Sequence, residues 1–387
     1  MVSTPGSSRL SRARATVDGL ANAALAHDQT AFTALTSARD PSFPDRARLL
    51  STNLVALPLV RLRLRLDPTE YPVSTARRAV LGAAAWVQSA RVEWRLAGDS
   101  GPAEQTVWLT FVDDGAVRLA GTIDVPPDQP PEPQPSWWLG PVQARTIGRA
   151  TAVVGAGQSA DHWAQAGDRA AHRVRRLLPA PAGAAWNGRV VVEIPATSRD
   201  FEAVLGATSG SHSGIAAVAQ PEGPDGMAAI RVVVNPRASA LLSTGELDRV
   251  LDHEITHVAT RAAASPAPTW AEEGLAEWVS LRDRRGARSW GTDKLLTRVR
   301  AYGAPHALPD DAAFAADADD LDAVYAEAWL ACRLIADRYS PARLSRFSVE
   351  LDRGRSVDQA SRRVLGPSAA ELTAAWRRYL TRLARAG

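Results

Sequence analysis

Two segments of this chain carry side chains whose types and spacing could do chemistry on a metal ion. The first is His253-Glu254-Ile255-Thr256-His257. The second, after a short break, is Trp270-Ala271-Glu272-Glu273-Gly274-Leu275-Ala276-Glu277-Trp278. Residues four apart on a helix share a face, so His253 and His257 can aim two imidazoles at one ion. Zinc takes neutral imidazoles and a carboxylate, and a catalytic site leaves one position for water. Glu254 could take a proton from that water, and a second helix carrying Glu273 could supply the third ligand. The chemistry is metal-assisted hydrolysis of peptide bonds. The plainer alternative is two surface histidines that bind nothing. The chain has seven histidines, and a chance HExxH is expected in roughly one such chain in a hundred.

The elements that must position these groups are legible nearby. Ser243 and Glu246 form a capping-box pattern, and Leu247, Val250, Leu251, Ile255 and Val258 recur near helical spacing. Pro266 and Pro268 break the chain, and Thr269 with Glu272 predicts a second helix start. On that helix Glu273 and Glu277 lie one turn apart, so both can face the first helix. Glu272 competes with Glu273 as third ligand, but a capping role already accounts for it.

HExxH, a short loop and an EGxAE helix resemble the gluzincins, the thermolysin-like metallopeptidase superfamily. The resemblance covers roughly residues 149–387, and the zinc motifs are its specific part. It implies Zn2+ as cofactor, with His253, His257 and Glu273 as ligands, since the glutamate before the glycine is the family's ligand. It also implies Glu254 as general base. Glu277 becomes the carboxylate that orients a ligand histidine through its other nitrogen; thermolysin has Asp there, and related families have Glu. Gluzincins commonly take an oxyanion donor, Tyr or His, from downstream. Tyr325 stands where related modules often carry a tyrosine and is the candidate donor. His306 and His212 read as loop residues. Gluzincins also place a sheet before the zinc helix, with an edge strand that aligns extended peptides; Ile215 to Ala219 or Ile230 to Val234 is the expected edge.

At 387 residues the chain is long enough for two domains. Its net charge is +3, with acidic residues nearly matching basic ones and Lys294 the only lysine. No basic stripe with interleaved aromatics points to nucleic acid, and the run Arg282 to Arg288 reads as a solvated loop. The arginine-, alanine- and proline-rich composition suggests a GC-rich, actinobacterial source. The one cysteine, Cys332, cannot form an intramolecular disulfide and reads as core filler on a helix. No apolar stretch is long enough to span a bilayer, and no apolar segment of a signal peptide follows Met1 to Arg14.

The fold class expected is α+β. Helices near 13–40 and after Pro44 precede the strictly alternating Val60 to Leu66, an arginine-faced strand. Strands are also expected at Ala90 to Leu96, Gln105 to Val112 and Ala116 to Ile123, the last two joined by the turn Asp113-Asp114-Gly115. Ala26 to Phe32, Leu54 to Leu57 and Thr110 to Gly115 are similar in wording to small NTF2-like domains. They also resemble the front part of actinobacterial two-domain proteins that end in a gluzincin-like module. The proline-dense stretch Pro126 to Pro135 reads as loop or linker, and Trp137 to Val142 as a last strand. The expected domains are therefore an NTF2-like cone at 1–148 and a gluzincin-like domain at 149–387. The second would open with a helix at Asp161 to Leu178. Strands at Arg189 to Pro195, Gly214 to Ala219 and Ala228 to Val234 would follow, with turn-rich Gln220 to Gly226 between the last two. Helices at Val324 to Tyr339 and Glu371 to Leu380 would end it.

A zinc peptidase acting on a peptide or protein is the expected function. A non-catalytic zinc-containing binding module and an envelope-associated protein stapled by zinc are the alternatives. Resemblance points to an extracytoplasmic or envelope location, and the missing signal to the cytoplasm.

Overall fold

The computed structural model describes residues 5–386, except 130–131, 179–185, 225–226, 262–264, 283, 285, 287 and 316–319. Parts of Met1 to Arg14, Pro126 to Pro135, Gln220 to Gly226 and Arg282 to Arg288 therefore lie outside the described residues. Helix makes up 50% of the chain and strand 19%, the mixture expected of an α+β protein. Contacts divide it into two compact units, Met1–Gly167 with Arg189–Leu241, and Asp168–Gly188 with Leu242–Gly387.

The first unit opens with helices α1 (Pro5–Leu25), α2 (Gln29–Ala34) and α3 (Phe43–Ala56). Strands β1 (Leu59–Pro72), β2 (Trp86–Leu96), β3 (Ala103–Asp113) and β4 (Val117–Gly121) then form an antiparallel meander, with α4 (Thr75–Leu81) between the first two. As the alternation predicts, Leu62 and Leu66 are buried on β1 while Arg61, Arg63 and Arg65 are exposed. The Asp113 to Gly115 turn forms, with Gly115 at φ +99°.

The segment Trp137 to Val142 does not form the expected strand. It holds a single helical turn, α5 (Ser136–Leu139), and then the start of β5 (Val142–Ile147). Asn53 supplies the reason. Its Nδ2 donates to Trp137 O and Gly140 O, each at 2.8 Å, and its Oδ1 accepts from Val142 N at 3.1 Å. A fully buried amide on α3 thus satisfies the backbone of the bend, as burial of polar groups requires.

Strand β5 turns at Gly148, φ +53°, into β6 (Ala150–Gly155), so residue 148 lies inside a hairpin. After α6 (Ala160–Leu177), which crosses from one unit into the other, come β7 (Val190–Ile194) and α7 (Ser198–Leu205). Strands β8 (Ala217–Pro221) and β9 (Ile230–Val234) and the short α8 (Pro236–Ser239) complete this unit. The five strands order as β5-β6-β7-β9-β8, with β6, β7 and β9 parallel. Of the two candidate edge segments, the one overlapping β8 lies at the sheet edge; β9 is interior.

The two sheets share one core, in which Trp94, Leu96 and Trp137 meet Val153, Val191 and Ala229. Arg231 is buried between them. It donates to Asp99 at 3.1 and 2.7 Å and to Glu193 at 2.8 Å, with Glu222 at 3.9 Å. Three carboxylates face one guanidinium, and Gln105 Nε2 also donates to Glu222 at 3.0 Å. Burial pushes Glu222 up to about 8; Arg231 opposes this, while Glu193 and Asp99 add to it. A carboxyl raised on folding stabilises the fold while it is neutral. That contribution is complete below its unfolded pKa and is lost as pH rises through about 8. Glu222→Gln is expected to match the parent's melting temperature near pH 4 and to exceed it near pH 9, by about 2 kcal/mol of stability. Thermal unfolding at the two pH values checks this; equal curves at both would mean that folding does not raise the Glu222 carboxyl.

The second unit is helical: α9 (Thr244–Thr260), α10 (Thr269–Leu281), α11 (Thr292–Tyr302), α12 (Leu321–Tyr339), α13 (Pro341–Asp352), α14 (Val357–Val364) and α15 (Ala369–Ala386). Helix α10 crosses α12 at Gly274. A Cβ added there would meet Ala328 O at 2.4 Å and Cys332 Sγ at 2.9 Å. The glycine of the EGxAE pattern therefore lets these two helices approach closely.

Candidate metal centre

Helix α9 begins as predicted, with the Ser243–Glu246 capping box complete, and ends at Arg261 in the left-handed region. It carries His253 and His257 one turn apart. Helix α10 starts at Thr269 but without the expected cap: Pro268 is its N-cap residue, with no side-chain bond. Asp311 instead accepts from Thr269 N at 2.9 Å. Glu272 therefore does no capping. Its Oε1 is buried without a partner, and burial pushes its carboxyl up to about 7, against the pull of Ser265 and His257.

Glu273, not Glu272, meets the imidazoles. His253 Nε2 is 3.2 Å and His257 Nε2 3.4 Å from Glu273 Oε2, and the two Nε2 atoms are 3.0 Å apart. This trio is the group of donor atoms among the described residues able to hold a metal ion. Two ring nitrogens this close need a proton or a cation between them. Ligand atoms about 2.0–2.1 Å from a tetrahedral zinc lie roughly 3.3 Å apart, which these spacings match. Donor chemistry and geometry both fit the ion.

Burial opposes charge on both imidazoles, yet each is held above its usual pKa. For His253 the contacts to Glu273 and Glu277 and the charge of Glu254 outweigh burial; for His257 Glu273 does most of this. Burial raises Glu273, but the imidazoles hold its carboxyl well below the usual range. The site thus gathers more negative charge than its own two histidines satisfy unless they are protonated or a cation is bound.

Glu277 Oε2 stands 3.5 Å from His253 Nδ1, on the far side of the ring. Its other oxygen takes Arg249, one turn before His253 on α9. Arg249 went unnoticed in the sequence, although its four-residue spacing from His253 was visible. Asp252, also unnoticed, accepts from Arg173 Nε at 2.8 and 2.9 Å and from Arg284 Nη2 at 3.1 Å. These bonds hold α9 from its back face. Glu254 is half-buried, and its charge acts on both imidazoles and on Tyr325.

Tyr325, in the first turns of α12, has its ring centroid 6.5 Å from that of His253 and packs edge-on against Phe314. Burial, then Glu273, Glu254 and Glu277, push its hydroxyl far above the usual value, so it keeps its proton. His306 is exposed, in the segment after α11. His212 sits in a loop of the first unit, its N donating to Glu202 at 3.2 Å. Cys332 is buried, its thiol facing Ala271 O at 3.9 Å.

No protein-family model matches the chain, and no curated protein matches it by sequence. Seven chains of known structure do match. Two are an M1 zinc metallopeptidase from Deinococcus radiodurans and a point mutant of it, 14% and 12% identical over 76% of this chain. Their TM-scores are 0.40 and 0.39, and the match covers 61% and 62% of their length. This is a weak likeness of fold to zinc metallopeptidases. No described helix is long and apolar enough to cross a membrane.

Proposed function

We propose that this chain is a zinc-dependent peptidase acting on peptide or protein substrates. The observation that supports it is the convergence of His253 Nε2, His257 Nε2 and Glu273 Oε2 within 3.0–3.4 Å, beside Glu254 and Tyr325. Those three atoms would hold a zinc ion, which when bound would supply Lewis acidity to a substrate carbonyl and to a water near neutral pH. Glu254 then accepts the proton of the attacking water and passes it to the leaving amine. Tyr325, kept protonated, donates to the oxygen on which negative charge develops. Glu277 fixes the ring of His253 through Nδ1, and Arg249 fixes Glu277.

The front part at 1–148 as an NTF2-like domain, and 149–387 as gluzincin-like, belong to the same proposal. Three helices ahead of an antiparallel meander support the first, and the α9–α10 pair supports the second.

Elemental mass spectrometry of the purified chain tests the proposal. About one zinc per chain is expected, and none in the His253→Ala/His257→Ala double variant. Absence of zinc from the parent after zinc is supplied would remove the peptidase reading. Glu273→Ala is expected to lower occupancy more than Glu272→Ala does; the reverse ranking would make Glu272 the third ligand.

A further inference from the structure

The arginine face of β1 belongs to the first unit and takes no part in the metal centre. Residues 9–129, which contain the whole four-stranded sheet, are all described. Arg61, Arg63 and Arg65 are exposed, while Leu62 and Leu66 are buried behind them. Pairing with β2 runs without interruption from Arg61 to Leu66, opposite Arg95 to Ala90. Residues directly opposite each other share a face, so Arg95 stands beside Arg61 and Arg91 beside Arg65. Like charges placed opposite each other cost stability. The sheet nevertheless keeps both pairs on one short stretch.

Carboxylates meet only part of this charge. Glu93 pairs with Arg61 at 2.6 Å, and Glu104 on β3 faces Arg91 at 3.5 Å. Asp67, just past the regular stretch, accepts from its neighbour Thr69 N at 2.8 Å. Arg95 donates to the Asp99 carbonyl at 3.3 Å. Among the described residues no carboxylate pairs with Arg63, Arg65 or Arg95.

The same strand is an edge. It pairs with β2 on one side, and no described strand pairs with the other. Such an edge offers backbone N–H and C=O groups to an added strand. A strand placed there lies about 4.8 Å from β1, and its side chains alternate between faces with the same period of two. Every second side chain then stands next to Arg61, Arg63 or Arg65, at intervals of about 7 Å.

We propose that the outer edge of β1 binds an extended peptide segment with acidic residues at alternate positions. Backbone pairing supplies the alignment, and the unpaired guanidiniums supply the preference for carboxylates. Acidic side chains on that face also relieve the repulsion within the Arg61–Arg95 and Arg65–Arg91 pairs. Nucleic acid or an anionic lipid surface matches the charge but not the edge. The plainer role for these arginines is to keep the edge from pairing with other chains, and it predicts no ligand. The site holds whether or not His253 and its neighbours carry an ion.

Fluorescence anisotropy of a labelled peptide of about ten residues, alternating glutamate and threonine, titrated with the full chain, tests this. Saturable binding at or below about millimolar is expected, weakened about tenfold in Arg63→Ala/Arg65→Ala. That variant is expected to melt no lower than the parent, because Arg65 no longer opposes Arg91, so its weaker binding cannot come from misfolding. Two further peptides keep the charge. One gathers the glutamates at one end, and the other carries methyl groups on alternate backbone nitrogens. Each is expected to bind about fivefold more weakly or worse, since one loses the alternation and the other the edge bonds. The control Arg14→Ala/Arg48→Ala removes the same charge from exposed positions on α1 and α3 and is expected to change affinity less than about twofold. Four results would each overturn the proposal. These are no saturable binding, equal binding of the altered peptides, equal loss in the helix control, and tighter binding of an oligonucleotide or an anionic vesicle than of the alternating peptide.

Discussion

Glu254→Gln is expected to keep its metal and lose hydrolysis, with kcat falling about a thousandfold or more. Glutamine has the shape of glutamate, and residue 254 is not among the three donor atoms that converge. The helix and the cluster should therefore persist. What disappears is the group that accepts a proton from the attacking water. Glu273 and Glu277 are engaged with the imidazoles, and Glu272 is turned away from them, since Glu273 is the carboxylate that meets both rings. Turnover of a peptide library, read beside metal content, checks the result. Loss of zinc in this variant would make Glu254 a structural residue. Undiminished turnover would remove the base from the mechanism.

Gly274→Ala is expected to cost about 3 kcal/mol or more of stability. The new methyl group would stand 2.4 Å from Ala328 O and 2.7 Å from Ala328 C. Both are backbone atoms within α12 and cannot swing aside as a side-chain tip can. Helix α10 must instead lift off α12, carrying Glu273 away from the imidazoles and separating them from Tyr325. Metal occupancy should fall together with melting temperature. Gly245, in the first turn of α9, has open space around its Cα. Gly245→Ala is the control and should be neutral or slightly stabilising. If the two variants melt alike, α10 and α12 do not approach as closely as the geometry requires.

Local spacing carried the sequence reading as far as local spacing can. The four-residue step from His253 to His257, the Ser243–Glu246 box and the alternation along β1 are written within a few residues. Each took the form its pattern predicts. What escaped was set by distant partners. Asp311, forty-two positions along, caps α10 and leaves Glu272 without the role its spacing suggested. Asn53, on α3, bends Trp137 to Val142 into a turn and the start of β5. The ion cluster at Arg231 joins residues up to 132 positions apart, and its charge pattern has no period to detect. Helices α11, α13 and α14 were not foreseen, because the packing that selects them lies across the helical unit and not along it.

Cys332 turns this geometry into a clock. It is the chain's only cysteine, it is 1% exposed, and its thiol lies against Ala271 at the crossing of α10 and α12. Burial also pushes the thiol well above its usual pKa, so it reacts only after the two helices part. The rate at which a thiol reagent labels the native protein therefore counts openings of that crossing, with no substrate needed. Because Glu273 and Tyr325 ride on the same two helices, added zinc should slow the labelling, and Glu273→Ala should abolish the slowing.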